Sequence, residues 1–372
     1  MSTSLYTPDA STTSPGTASK KPIRVLIVDD SATIRMMVRE SLSRDPQIEV
    51  VAEASHPLEA REAVKRMSPD VITLDVEMPH MNGLDFLRRL MDRRPTPVIM
   101  LSSLTKAGSR AAVEALSIGA VDCIEKPRNG SAGLVDLPRH VHMAASANVA
   151  KRQDRAEPAA PGVASPLTMR YPINERVVCI GASTGGVDAL EQVLTRIPAN
   201  GPPIVVTQHM PESFLRSFAA RLDPMCSVQV AVATDDEPLK PGMVRIAPGG
   251  DYHLALTEQW PPKCKLLQGE KVSGHRPSVD VLFRSAVPHG HRMVGVLLTG
   301  MGQDGAHGLK EMREAGAPTL VQDKATSVVY GMPRVAMEIG ASDTGLPLTK
   351  IASAIMTHCS EKLSKRPARH RS

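Results

Sequence analysis

Five polar residues in the first third of the chain each end or follow a short apolar run. Asp29 and Asp30 follow IRVLIV, Asp75 follows VITL, Ser102 closes VIMLS and Lys126 follows VDCIE. Ligands of open parallel sheets collect beyond the carboxyl ends of the strands, so these side chains are expected at one rim. Three carboxylates gathered there repel one another unless a divalent cation lies among them, and hard oxygen ligands with room for water suit Mg²⁺. Helix capping accounts for Asp30 before SATIRMM, but not for Asp75 or Lys126.

A second set of residues lies past the middle of the chain, in VVCIGASTGG (177–186). A glycine-rich turn after an apolar run can cradle a phosphate on backbone N–H groups, or it can expose a serine nucleophile. The dinucleotide fingerprint needs a glycine where Ser183 stands and an acidic residue after the next strand, where the chain instead has Gln208-His209. No Lys-Ser/Thr follows the glycines, so a P-loop is excluded as well. The spacing Gly181-x-Ser183-x-Gly185, between a strand and the helix GVDALEQVL, meets the requirements of a nucleophile mount. A serine needs a base, and the base needs an orienting carboxylate. His209 follows IVVTQ and Asp304 follows MVGVLLTGMGQ, each past the end of an expected strand.

Competing residues fit less well. Asp304 is equally placed to cap the helix GAHGLKEM, and its company with Ser183 and His209 moves the balance toward catalysis. His253, His275, His289, His291, His307 and His358 fall in an expected hairpin, loops or helices, and most read as ordinary surface histidines. Asp280 reads as a helix N-terminal charge. Arg276, in HRPS, is free on this reading to meet acidic groups of a partner. The order Ser, His, Asp is not that of an α/β-hydrolase, so the same chemistry is expected on a different fold.

The elements that must carry these residues follow from periodicity. Five strands alternate with helices from Ile23, and the first helix buries Ile34, Met37, Val38 and Leu42 at i, i+3, i+4 and i+8. A doubly wound, five-stranded parallel sheet results. A second alternating region begins at ERVVCIGAS and gives an α/β domain with a mostly parallel sheet. It is interrupted by KPGMVRIAPGGDYHLALTE, which reads as an inserted β-hairpin. Between them AASANVAKRQDRAEPAAPGVASPLTMR is a linker. The expected division is a disordered leader 1–21, a first domain 22–141, a linker 142–170, a second domain 171–364 and a basic tail 365–372. Apolar spacing over 134–149 also suits a helix, which leaves the first boundary open by several residues.

Composition narrows the function. Of 372 residues 42% are hydrophobic but only 2% aromatic, which argues against base-stacking platforms. The net charge of +5 is mostly terminal: Lys362, Lys365, Arg366, Arg369 and Arg371 stand against Glu361, so no nucleic-acid partner is expected. Five scattered cysteines form neither metal pairs nor a disulfide framework, a pattern of a reducing compartment. With a polar N-terminus and no long apolar run, a cytoplasmic protein without membrane insertion is expected.

Residues 22 to about 141, through VDDS, LDVEMPHMNG, Ser102 and EKP, resemble the receiver domain of bacterial two-component response regulators. The resemblance implies that Asp75 accepts a phosphoryl group from a histidine kinase. It further implies that Asp29, Asp30 and Asp75 hold Mg²⁺, and that Ser102 and Lys126 sense the acyl phosphate. Cys123 departs from the receiver pattern, standing where Tyr or Phe is usual. Residues 171–364, through IGASTGG, QHMP, HRPSVDVLF, LLTGMGQDGA and VYGMP, resemble the catalytic domain of the chemotaxis protein-glutamate methylesterases. That implies a serine esterase acting on methyl-glutamates, and on glutamine amides, of methyl-accepting chemotaxis receptors. It also implies an oxyanion donor in the backbone of Met301, a supporting role for Thr184 and no cofactor for ester hydrolysis. A regulator whose second domain only binds a partner is the alternative, and labelling of Ser183 would separate the two.

Overall fold

Strand β1 (Ile23–Val28) is buried from Val25 onward, and its side chains divide by parity. Val25 and Ile27 join one apolar cluster, Leu26 and Val28 another, as a strand covered on both faces requires. In the computed structural model, which describes residues 21–78, 83–103, 105–126, 134–149 and 176–360, β1 is the second strand of a parallel sheet ordered β2-β1-β3-β4-β5. The other strands are β2 (Ile48–Ala54), β3 (Val71–Asp75), β4 (Val98–Ser102) and β5 (Asp122–Glu125). Helices α1 (Ala32–Leu42) and α5 (Leu137–Ala145) pack together on one face. The other face carries α2 (Pro57–Met67), α3 (Gly83–Arg93) and α4 (Lys106–Ile118). Helix α5 runs through position 141, where the sequence placed the end of the first domain, because Leu137, Val141, Met143 and Ala144 are all buried. The leader, most of the linker and the basic tail lie outside the described residues.

The second sheet has seven strands, all parallel, in the order β14-β13-β12-β6-β7-β9-β8. They are β6 (Val177–Ala182), β7 (Ile204–Gln208), β8 (Gln229–Val232), β9 (Met243–Ile246), β12 (Met293–Leu297), β13 (Thr319–Gln322) and β14 (Gly345–Leu346). Helices α6 (Gly186–Leu194), α7 (Glu212–Leu222) and α11 (Leu348–Ser360) cover one face. The other carries α8 (Val279–Ala286), α9 (Ala306–Glu314) and α10 (Met332–Glu338). A β-hairpin is present, but it pairs β10 (Tyr252–Leu256) with β11 (Cys264–Gln268). The run MVRI, expected to belong to it, is instead β9 of the main sheet. Alternate β9 residues explain the choice: Val244 and Ile246 enter the same core as Ile204 and Val206 of β7.

Strand β6 is the first of these seven along the chain but central in the sheet, with β7 on one side and β12 on the other. The strand order reverses there, which opens a crevice at the carboxyl ends. The two domains meet in apolar contact. Helix α4 packs on α6 and α7, and Met301, Val328 and Val329 of the second domain pack into the α1/α5 cluster of the first.

Candidate active site

The crevice beside β6 receives the three residues expected to act together. Ala182 pairs with Gln208 and Gly181 with Leu297, so β6, β7 and β12 end nearly level. The ladder continues past their ends: Ser183 N–H donates to Thr299 O (3.0 Å), His209 N–H to Ala182 O (3.1 Å) and Leu298 N–H to Gly181 O (2.9 Å). These bonds place Ser183 and His209 on adjacent strand ends. Gly185, at φ 75°, then turns the chain into α6, a conformation that a side chain disfavours. Gly181 allows α8 to approach, since a Cβ there would sit 2.1 Å from Val279 Cγ1.

Asp304 does not cap α9, whose N-cap is Gly305. Its carboxylate lies instead at the N-terminus of α8. Oδ1 accepts from Ser278 Oγ (2.8 Å) and Asp280 N–H (3.1 Å), and Oδ2 accepts from Val279 N–H (2.7 Å) and the His209 ring (2.8 Å from Nε2). Burial alone would raise its pKa. The hydrogen bonds from His209, Ser278 and Val279 outweigh burial and hold the carboxyl below its ordinary value. The carboxylate therefore fixes the proton of His209 on Nε2 and leaves Nδ1 as the basic nitrogen. Among the described residues Nδ1 is buried without a hydrogen-bond partner. Asp280 opens α8 as expected, and its Oδ1 also accepts from Gly308 N–H (2.8 Å), joining α8 to α9.

Other residues are placed differently from the sequence reading. Thr184 Oγ1 donates to Met143 Sδ (3.1 Å), so it faces α5 of the first domain. Gly300 abuts Ser183, and the N–H of the next residue, Met301, meets no acceptor among the described residues. Arg276 is not free: it donates to Gly250 O, Gly269 O and Asp251 Oδ1. His275 is no ordinary surface histidine, because its ring stacks on that of His209 with centroids 3.7 Å apart and planes within 9°. His253 is buried and structural, accepting from Ser278 N–H and donating to Glu270 O. Its neighbour in space, Ser278, was absent from the sequence reading. The only sequence signal for these contacts was the compact run HRPSVD, in which no periodicity singles out a ring or a hydroxyl.

At the first rim, ligand oxygens of Asp29, Asp30 and Asp75 lie within 4.8 Å of one another. Lys126 Nζ stands 2.8 Å from both Asp29 Oδ2 and Asp75 Oδ1. Burial, partly offset by Lys126 and reinforced by Asp29, pushes the Asp75 pKa up to about 6. Burial would lower that of Lys126, but the two carboxylates outweigh it and raise it. Among the described residues Asp75 Oδ2 is buried without a hydrogen-bond partner, so the all-oxygen donor set has unsatisfied capacity and fits Mg²⁺. The Ser102 hydroxyl is turned away from this pocket and donates to Gly108 O (3.0 Å) in α4.

Two protein families match separate parts of the chain. Residues 25–135 match the response regulator receiver domain family, and residues 178–355 match the family described as CheB methylesterase. A protein-glutamate methylesterase/protein-glutamine glutaminase of Agrobacterium fabrum is 51% identical over 90% of this chain and 95% of its own. One from Caulobacter vibrioides is 49% identical over 90% and 97%. The crystal structure of the Thermotoga maritima CheB methylesterase catalytic domain is 39% identical, covering 50% of this chain and 99% of that one, with a TM-score of 0.48. With a receiver domain, a methylesterase domain and such identity along nearly its whole length, the chain belongs to the protein-glutamate methylesterase/protein-glutamine glutaminase family.

Proposed function

We propose that the second domain hydrolyses methyl-glutamyl esters, and deamidates glutamines, of methyl-accepting chemotaxis receptors through Ser183, His209 and Asp304. The observation that carries this reading is the His209 ring: Nε2 is committed to Asp304, and the unpartnered Nδ1 is buried on the strand end next to Ser183. In the reaction Nδ1 takes the Ser183 hydroxyl proton as Oγ attacks the side-chain carbonyl. The proton passes to the departing methanol, or ammonia, leaving an acyl-serine. Water, activated by the same nitrogen, releases glutamate and restores the hydroxyl. Among the described residues no hydrogen bond joins Ser183 to His209, and the contact closes on substrate binding, as catalytic hydrogen bonds do. The Met301 N–H, beside the serine turn, donates to the oxyanion, a contribution of ~10²–10³ in rate.

The first domain regulates this site in the cytoplasm. A histidine kinase phosphorylates Asp75. Asp29, Asp30 and Asp75 would hold Mg²⁺, which would supply positive charge against the carboxylates and the incoming phosphoryl group. Lys126 and Ser102 respond to the acyl phosphate, Ser102 by leaving Gly108 O. In the present arrangement α5 lies against the serine turn through Met143 and Thr184, and Met301 and Val328 are packed beneath the same domain. That packing supports inhibition by occlusion, relieved on phosphorylation. No helix among the described residues is long and apolar enough to cross a membrane. The test is Ser183→Ala, together with phosphonate labelling of the full chain phosphorylated by a small acyl phosphate. Methanol release should vanish in the variant and the label should map to Ser183. Undiminished release would refute the assignment.

A further inference from the structure

The Asp304 hydrogen bond leaves one freedom of His209 unrestrained. A single N–H···O contact lets the imidazole pivot about the Nε2···Oδ2 line, and a pivot swings Nδ1 away from Ser183. The ring of His275 lies parallel to it at 3.7 Å and blocks that motion. We propose that His275 is a positioning residue for the hydrolysis, its ring clamping the His209 imidazole so that Nδ1 stays aimed at Ser183.

The clamp is itself held on both sides. Val272 and His275 exchange reciprocal backbone hydrogen bonds (3.0 and 2.9 Å) around Ser273 and Gly274, both at positive φ (53° and 81°). This is the geometry of a tight two-residue hairpin turn. The next residue, Arg276, is tied to Gly250, Asp251 and Gly269. Two residues further on, Ser278 donates to Asp304 Oδ1. One short segment thus fixes the face of the His209 ring and the carboxylate that orients its edge.

The charge state of the clamp suits the role. Burial is the main cause that lowers the His275 pKa to about 4, with His209, Arg139 of α5 and Lys271 acting in the same direction against Asp304. Near neutral pH the ring is uncharged. When His209 becomes an imidazolium, its neighbour offers a π face instead of a like charge.

The inference rests on the Ser183/His209 reading, and the experiment separates the two. Full-length chain, phosphorylated by a small acyl phosphate, is assayed for methanol release from methylated receptor as wild type, Ser183→Ala, His275→Leu and His275→Phe. The leucine fills the volume without a flat ring, whereas phenylalanine keeps the ring without nitrogens. We expect His275→Leu to lower kcat by ~10–100-fold with KM within about twofold, the scale of a misaimed catalytic group. His275→Phe should stay within about threefold of wild type. If the leucine variant fails to fold, His275→Asn replaces it with the same expectation. A fully active His275→Leu, or a His275→Phe as slow as His275→Leu, overturns the clamp. Activity surviving in Ser183→Ala would overturn the underlying reading instead.

Discussion

Replacing Asp304 by Asn tests the site most directly, because the hydrogen-bond set dictates how the amide must sit. The carboxylate accepts four donors, two on each oxygen. If the amide nitrogen takes the Oδ2 place, it confronts Val279 N–H at 2.7 Å and forces His209 to become an acceptor there. At the Oδ1 place it can donate to Ser278 Oγ and strands only Asp280 N–H, the longest contact at 3.1 Å. The second orientation wins, and the remaining oxygen still accepts from His209. The tautomer survives, but the negative charge that stabilises the imidazolium is gone. Exchanging a charge-assisted bond for a neutral one costs ~1–2 kcal/mol, and a full charge pair near 4 Å is worth up to ~4 kcal/mol at an effective dielectric of about 20. Together these bracket a loss in kcat of ~5–10³-fold, with KM nearly unchanged. The stranded N–H and the lost anion at the start of α8 cost ~1–3 kcal/mol of stability. The assay is methanol release from methylated receptor, with kcat and KM resolved separately and a denaturant titration alongside. A kcat within about threefold of wild type would refute the proposed part of Asp304 in the chemistry.

The same carboxylate sets a pH window. Its folded pKa lies below the unfolded value of about 3.9, so the stability it adds is complete above that value and disappears as pH falls through the folded one. Urea titrations from pH 7 to 3 should show the gap between wild type and Asp304→Asn closing at the acid end, and a gap that widens there contradicts the assignment. At the domain interface Ser117 Oγ donates to Glu191 Oε2 (3.1 Å), so Ser117→Glu opposes two carboxylates. Repulsion of ~1–2 kcal/mol should loosen the interface and raise basal esterase activity about 5–30-fold without phosphorylation. Unchanged basal turnover would count against occlusion. Mg²⁺ at about ten times its Kd should stabilise the first domain by ~1.4 kcal/mol, seen as a higher melting temperature. Asp30→Asn should abolish the shift, and absence of the shift in wild type removes Asp29, Asp30 and Asp75 as its site.

Much of the architecture was legible in the chain because both sheets are parallel and covered on two faces. Apolar runs such as IRVLIV and VVCIGA admit few other readings once helices follow them at regular spacing. The polar residues at the ends of those runs reach a common rim for the same reason, which is why Asp29, Asp75, Lys126, Ser183 and His209 are legible in the chain. The hairpin was misread at β9, where a short β-rich run between turn residues looks the same whether it pairs with its neighbour or with a strand about forty residues earlier. Helix α5 ends at Ala145, within the stretch 134–149 whose spacing suits a helix, and burial against the first domain is what holds its end.

By itself, then, the sequence determined the two α/β domains, the acidic rim and the set Ser183, His209 and Asp304. These follow from periodicities along the chain and from chemistry attached to strand ends. The tertiary structure decided which helix Asp304 completes, which nitrogen of His209 is left basic, that Thr184 answers to Met143, and that His275 lies on the His209 ring. Each is a matter of a few ångströms between segments remote in sequence. Local periodicity carries no record of such contacts, whereas packing of the folded chain leaves each of these side chains a single place to go.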